Sequence, residues 1–271
     1  MAPAGYACPG TKRRNGGLLV DIVGRGFIAR HASEYFRSCH PEATLIGAGV
    51  SSVVVTDAES FSREAELVYE VLRRCRADGR TAILLSTASA GMYGAPDSPG
   101  TEDGPVFPLT PYGRHKLGLE SVCATSGARW LVLRLAHIVG PGQQPHQLLP
   151  SLTRQLVSGQ ITIYRDASRD LLGVRDMLAM LDALLTRGVH DEIVNLATGR
   201  PEPVEHIVDE LERRLATSAV RTYVDMPTKH AIVSTAKARS LIPDFERFGF
   251  GTDYLGTLLD QHTAELASSV Q

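Results

Sequence analysis

Residues 17–29, GLLVDIVGRGFIA, pass from a short run that is apolar but for Asp21 into a glycine pair and on into the first turn of a helical pattern. The apolar run reads as a buried strand, and FIARHASEYFRSC (27–39) as a helix. Gly24-Arg25-Gly26-Phe27-Ile28-Ala29 falls at their junction. A backbone without Cβ atoms at that place lets a pyrophosphate reach the N–H groups of a helix start, so the turn reads as a dinucleotide cradle. A tight strand-to-helix turn without ligand is the alternative.

Outward from this unit, strand and helix patterns alternate. ATLIGAGV (43–50), TAILLST (81–87) and WLVLRLAHIVG (130–140) read as strands; FSREAELVYEVLRRCRADG (61–79) and YGRHKLGLESVCATSG (112–127) read as helices. Strands this apolar, separated by helices, imply an α/β fold: a doubly wound parallel sheet of Rossmann type, covered on both faces. After Gly140-Pro141-Gly142 the elements shorten. The expected organisation is a leader without fixed structure over 1–16, a dinucleotide-binding core with its catalytic helix over 17–142, and a small substrate lobe over 143–271, interleaved with the sheet.

The 271 residues are 43% hydrophobic, enough for a packed core, and 28 Lys plus Arg nearly balance 30 Asp plus Glu. Without a basic run interleaved with aromatics, nucleic acid is not an expected partner, and a small-molecule ligand is. LLVDIVG is short and broken by Asp21, so neither a signal peptide nor a membrane anchor is expected, and the cytoplasm is the expected compartment. Cys8, Cys39, Cys75 and Cys123 are far apart, which suggests neither a zinc site nor a disulfide framework and fits reducing surroundings.

Tyr112 and Lys116 stand four residues apart in a segment read as helical, one turn from each other on one face. An ammonium so placed is expected to stabilise a phenolate and lower the acidity constant of a phenol that is otherwise a sluggish acid-base group. No acid closes the strand after the first helix, where a ribose-binding carboxylate stands in most dinucleotide folds. With Arg25 in the glycine loop, this favours a 2′-phosphate and NADP(H), NAD(H) not excluded.

LLSTASAGMYG (84–94) followed by TEDGPVFPLTPYGRHK (101–116) resembles the active-site strand and catalytic helix of the extended short-chain dehydrogenase/reductases, the NAD-dependent epimerase/dehydratase family. LRLAHIVGPG, ITIYRDASRDLLGVRDM, EIVNLATG and STAKARSLIP resemble its later elements in the same order. The resemblance implies a catalytic set of Ser89, Tyr112 and Lys116, with Thr87 the runner-up to Ser89. Lys116 would also hold the nicotinamide ribose. It further implies cofactor contacts at Gly24, Arg25, Gly26, Phe27, Ile28, Ala48, Gly49 and Thr87, substrate contacts at Thr87, His137 and Arg169, no metal, and a possible homodimer. Glu102 and Asp103 match a family loop and read as structural caps, and His115 is given no role.

Three departures narrow the chemistry. Only about fifty residues separate Gly26 from the strand at Thr81, too few for the usual two further strands, so the adenosine-side half is shortened. Weaker adenosine contacts suit a reductase, which releases oxidised cofactor at every turnover. Ala88 and Ser89 replace the Asp-Glu pair of the family's dehydratases, and His137 replaces the usual Asn near a ligand phosphate. Arg169 keeps the phosphate-side arginine, a surface ion pair with Asp166 or Asp170 being its bland alternative. The expected function is NADPH-dependent reduction of a sugar ketone to an alcohol. The Ala-, Arg-, Gly- and Leu-rich composition suggests an antibiotic-sugar setting, with either a keto-deoxysugar or an oxo-aminoglycoside as substrate. The alternatives are an NDP-sugar epimerase with retained NAD and a non-catalytic dinucleotide sensor.

Overall fold

The structure, a computed structural model, describes residues 20–37, 39–51, 55–88, 92–94, 98–225 and 232–269. The first strand is short, β1 (Asp21–Val23), and α1 (Phe27–Tyr35) follows directly behind the glycine turn. Next come β2 (Ala43–Ile46), α2 (Ala58–Asp78), β3 (Thr81–Thr87), α3 (Pro111–Thr125) and β4 (Arg129–Leu135). Local chemistry sets the two long helices. The Asp57 carboxylate accepts from Ser60 N at 2.7 Å to start α2, and Gly79 ends it in the left-handed region at φ 66°. The Thr110 hydroxyl accepts from Gly113 N at 3.0 Å to start α3, with Pro111 at its first position.

β1, β2, β3, β4 and β9 (Glu192–Leu196) form one five-stranded sheet in that spatial order, every neighbouring pair parallel. Alternate strand residues face opposite layers. Leu45, Ile83, Leu131 and Leu133 pack with α1 and α5 (Val174–Thr186), while Ile46, Leu84 and Val132 pack with α2 and α3. The parallel, Rossmann-type sheet covered on both faces is the one the sequence leads one to expect.

The order has a topological consequence. The steps β1 to β2 and β2 to β3 run in the same direction across the sheet, yet α1 lies on one face and α2 on the other. The two crossovers therefore have opposite hands. Among the described residues β1 is also an edge strand, so the described sheet ends where a strand-order reversal would otherwise begin.

One expected strand is two. WLVLRLAHIVG breaks at Ala136, whose N donates to Leu196 O at 3.0 Å, while His137 N donates to Asp170 O at 2.9 Å. β5 (His137–Val139) thereby leaves the main sheet and pairs with β8 (Leu171–Gly173). Around it lies a second apolar cluster. It is built from α4 (Leu148–Val157), β6 (Gln160–Tyr164), α6 (Val204–Leu215) and α8 (Tyr254–Ser269). β11 (Val220–Val224) runs parallel to β6, and β7 (Ser168–Arg169) pairs antiparallel with β10 (Glu202–Pro203). A short α7 (Ala236–Leu241) packs on β9.

Among the described residues no helix is long and apolar enough to cross a membrane, and no cluster of His, Cys, Asp or Glu could hold a metal ion. Cys75 and Cys123 are free and buried, but Cys39 is disulfide-bonded, its partner outside the described residues. The reading of the cysteines as unlinked thiols therefore fails at that position, because spacing along the chain does not reveal which thiols folding brings together.

Candidate active site

The functional side chains gather at the carboxyl ends of β1, β2 and β3. Thr87 closes β3, Tyr112 sits in the first turn of α3, and Lys116 follows one turn later on the same buried face. The Lys116 Nζ lies 5.7 Å from the Tyr112 ring centroid. Behind them, Arg134 Nη2 meets Glu120 Oε2 at 2.8 Å and Ser86 Oγ donates to Glu120 Oε1 at 2.5 Å. Tyr93, whose hydroxyl donates to Asn195 Oδ1 at 2.8 Å, accepts from Arg134 Nη1 at 2.9 Å. This buried, mutually satisfied network fastens α3 to β3, β4 and β9, and so fixes where the Tyr112 turn stands.

Lys116 is not a lone cation. Its Nζ donates to Glu64 Oε1 at 2.7 Å and to Leu85 O at 3.1 Å, and both Lys116 and Glu64 are buried. The other oxygen, Glu64 Oε2, accepts from Val50 N at 3.1 Å and makes a 2.9 Å contact with His115 Nε2. The His115 ring is stacked on Phe61 at 4.6 Å. His115, given no role from the sequence, is thus part of the Glu64 cluster.

Tyr112 consequently departs from expectation. Its ionisation is pushed up, first by burial and then by the Glu64 charge, with the Thr87 hydroxyl pulling the other way through a hydrogen bond. The expected lowering by Lys116 does not occur, because that ammonium is already neutralised by a carboxylate at contact distance. Glu64 itself was missed in the sequence, although a signal existed. It lies on the apolar stripe of α2 made by Phe61, Val68, Leu72 and Cys75, where a carboxylate is out of place.

The glycine turn fits a dinucleotide, and its glycines are glycines for different reasons. Gly24 has φ 131°, and a Cβ there would meet Ala48 N at 2.6 Å and Gly47 C at 2.7 Å. The β1–α1 turn is therefore pressed against the loop after β2. Gly26 is extended, and a Cβ on it would meet only Gly47 O, at an ordinary 3.6 Å. Nothing among the described residues demands that glycine. An approaching phosphate would, since Gly26 caps α1 without any side-chain bond to the first N–H groups. Arg25 is exposed on this turn, whereas Phe27 is buried in the core and Ile28 packs at its margin. Phe27 and Ile28 can thus offer a ligand their backbone more readily than their side chains. Ala48 and Gly49 form the facing loop, and a Cβ on Gly49 would lie 2.2 Å from Glu64 Oε1. Beside that loop an open cleft of about 610 Å³ is lined by Gly49, Val50, Ser60, Arg63, Glu64 and His146.

On the substrate side, backbone bonds carry the site into the lobe. Ala88 N donates to Leu135 O at 2.9 Å, and His137, two residues on, donates to Asp170 O. Arg169 therefore stands near the ends of β3 and β4. Its Nη1 donates to Ser168 O at 2.8 Å, and burial lowers its basicity. Among the described residues no carboxylate pairs with it. The ion-pair alternative fails for Asp170, whose oxygens accept from Thr198 N at 2.9 Å, Thr198 Oγ1 at 2.8 Å and Gly199 N at 2.8 Å. Glu102 accepts from Asn195 N at 2.8 Å and ties its loop to β9. Ser89 lies outside the described residues.

Known proteins resemble this chain in sequence and in fold. A UDP-glucose 4-epimerase 4 of Oryza sativa subsp. japonica is 29% identical over 245 residues, 76% of this chain and 64% of that protein. The GDP-6-deoxy-D-mannose reductase of Pseudomonas aeruginosa is 28% identical over 156 residues, 52% of this chain and 51% of that protein. The chain thus spans between half and two thirds of these curated relatives. In three dimensions it resembles RMD from Pseudomonas aeruginosa complexed with NADPH, with a TM-score of 0.77 and 20% identity over 93% of this chain and all of that one. It also resembles the NDP-hexosamine 5,6-dehydratase TunA, with a TM-score of 0.69 and 22% identity over 83% and 77% of the two chains. Residues 24–197, from the glycine turn to the end of β9, match the model of the NAD dependent epimerase/dehydratase family, and the chain belongs to that family.

Proposed function

We propose that the protein is an NADPH-dependent ketoreductase that reduces a sugar ketone to an alcohol, with a nucleotide-linked ketosugar as substrate. The observation that carries the reading is the placement of Tyr112: a buried phenol in the first turn of α3, hydrogen-bonded to the Thr87 hydroxyl that closes β3 and 5.7 Å from the Lys116 ammonium, it is a proton donor at the strand ends. The glycine turn and the uncapped start of α1 would hold the pyrophosphate, and Lys116 keeps one N–H for the nicotinamide ribose after serving Glu64 and Leu85. Arg25, with no acid at the end of β2, favours the 2′-phosphate form.

Bound there, the reduced cofactor supplies a hydride to the carbonyl carbon. Tyr112 gives its proton to the carbonyl oxygen, and the Thr87 hydroxyl at the end of β3 would steady that oxygen as charge grows on it; Ser89, the first choice for that role from the family resemblance, lies outside the described residues. Arg169, half-buried and unmatched by a carboxylate, suits a substrate phosphate and disfavours a cationic amino sugar. Among the described residues the sheet ends at β1, which would leave fewer contacts for an adenosine and suits a cofactor that exchanges at each turnover.

The test is NADPH consumption across a panel of nucleotide-linked ketohexoses. Wild type is expected to turn over at least one. Tyr112→Phe should lower kcat by about 10²–10⁴-fold, the usual worth of a general acid, with NADPH binding little changed. Full activity in Tyr112→Phe overturns the mechanism. An epimerase is the second reading, supported by the similarity to UDP-glucose 4-epimerases. It requires dinucleotide that co-purifies with the protein, which mass spectrometry of the denatured sample decides.

A further inference from the structure

Three donors converge on Glu64: the Lys116 ammonium at 2.7 Å, the His115 imidazole at 2.9 Å and the Val50 N–H at 3.1 Å. They come from α3 and from the loop after β2, while Glu64 comes from α2, so the carboxylate joins three parts of the site. An ammonium standing alone 5.7 Å from a phenol ring would favour phenolate. Paired with a carboxylate at contact distance, it acts at the phenol as a dipole and not as a unit charge. The titratable groups in contact with this pair are His115 and Tyr112 from α3, and Arg63 of α2 and His146 share the cleft that Glu64 lines. The β2 loop and β3 contribute only the Val50 N–H and the Leu85 carbonyl.

The two directions of carbonyl chemistry need opposite forms of Tyr112. Reduction begins with the phenol, which gives a proton to the oxygen. Oxidation of an alcohol, the first half of an epimerisation, begins with the phenolate, which takes one. The alkoxide formed on hydride addition is a stronger base than phenolate, so a phenol that resists ionisation still gives up its proton there. It has little capacity to accept one at neutral pH.

On the ketoreductase reading of this site, we propose that Glu64 is a positioning residue: it pins Lys116 in a neutral pair and thereby commits Tyr112 to donating a proton, favouring reduction over alcohol oxidation. No overall equilibrium changes. Only the share of enzyme ready for each direction does.

The decisive experiment is an ultraviolet titration of phenolate in the cofactor-free protein, comparing wild type, Tyr112→Phe, Glu64→Gln and the double variant. Wild type and Tyr112→Phe should show equal phenolate up to about pH 10, the ordinary tyrosine range. Glu64→Gln should gain one phenolate below that point, and the double variant should lose it again. A Tyr112-dependent phenolate in wild type below about pH 10, or none in folded Glu64→Gln, overturns the proposal. Should Glu64→Gln not fold by circular dichroism, Glu64→Asn takes its place, and the comparison of wild type with Tyr112→Phe decides in any case. Because this readout needs no turnover, it separates failure here from failure of the ketoreductase reading, which shows as an absence of ketosugar reduction. With a working ketosugar, and with substrate and cofactor saturating in each direction, Glu64→Gln should raise the ratio of kcat for oxidation to kcat for reduction at neutral pH at least ten-fold. A merely structural Glu64 would lower both alike.

Discussion

Glu64 Oε1 and Lys116 Nζ meet at 2.7 Å with their side chains 2% and 5% exposed, so α2 and α3 are joined by an ion pair removed from water. Such a pair is a weak source of stability when whole and costly when halved. Glu64→Ala leaves a buried ammonium without its carboxylate and is expected to cost about 3–5 kcal/mol. Adding Lys116→Met should recover most of that loss. Urea unfolding of the two variants checks it, and equal losses would mean that the charge is not the cause.

The two glycines of the turn are expected to separate folding from binding. Gly24→Ala forces a Cβ against Ala48 N and Gly47 C at a positive φ, so both stability and NADPH affinity should fall. Gly26→Ala meets no such obstacle and is expected to keep its melting temperature near wild type, yet to bind NADPH at least ten-fold more weakly. Fluorescence titration with NADPH, together with a thermal melt, reads both.

Arg169→Met removes the half-buried guanidinium while keeping apolar bulk. KM for a nucleotide-linked ketosugar is expected to rise about ten-fold or more, with kcat changed far less, since the contact lies away from the reacting carbonyl. An unchanged KM would leave the nucleotide handle without support.

His40 bonds Asp182 at 2.6 Å through Nε2 and Glu42 at 3.1 Å through Nδ1, linking the end of the α1 segment to α5. Burial alone would lower its pKa, but the two carboxylates outweigh it and the net shift is upward. A histidine raised above its unfolded value of about 6.5 stabilises the fold fully below that pH and loses the contribution as pH rises through the folded value. Wild type should therefore lose stability on passing from about pH 6 to pH 8, and His40→Gln should flatten that slope. Chemical unfolding at several pH values measures it.

Much was legible in the chain because it is written locally. The apolar strands, the glycine turn and the Tyr112/Lys116 spacing each lie within a few residues, and the order of the motifs identified the family. The shortened adenosine-side half was read from the spacing of Gly26 and Thr81 against the family pattern, and among the described residues no strand lies beyond β1 in the main sheet. What sequence left open was whatever depends on residues brought together from afar. Glu64 lies 52 positions before Lys116, so only folding shows that the cation is paired and that the phenol is pushed up instead of down. The departure of β5 from the sheet at Ala136, the unmatched state of Arg169 and the opposite hands of the first two crossovers have the same origin. Residue type and periodicity fix which face of an element is buried, but the net charge and hydrogen bonding at a buried point are sums over neighbours that only the tertiary structure selects.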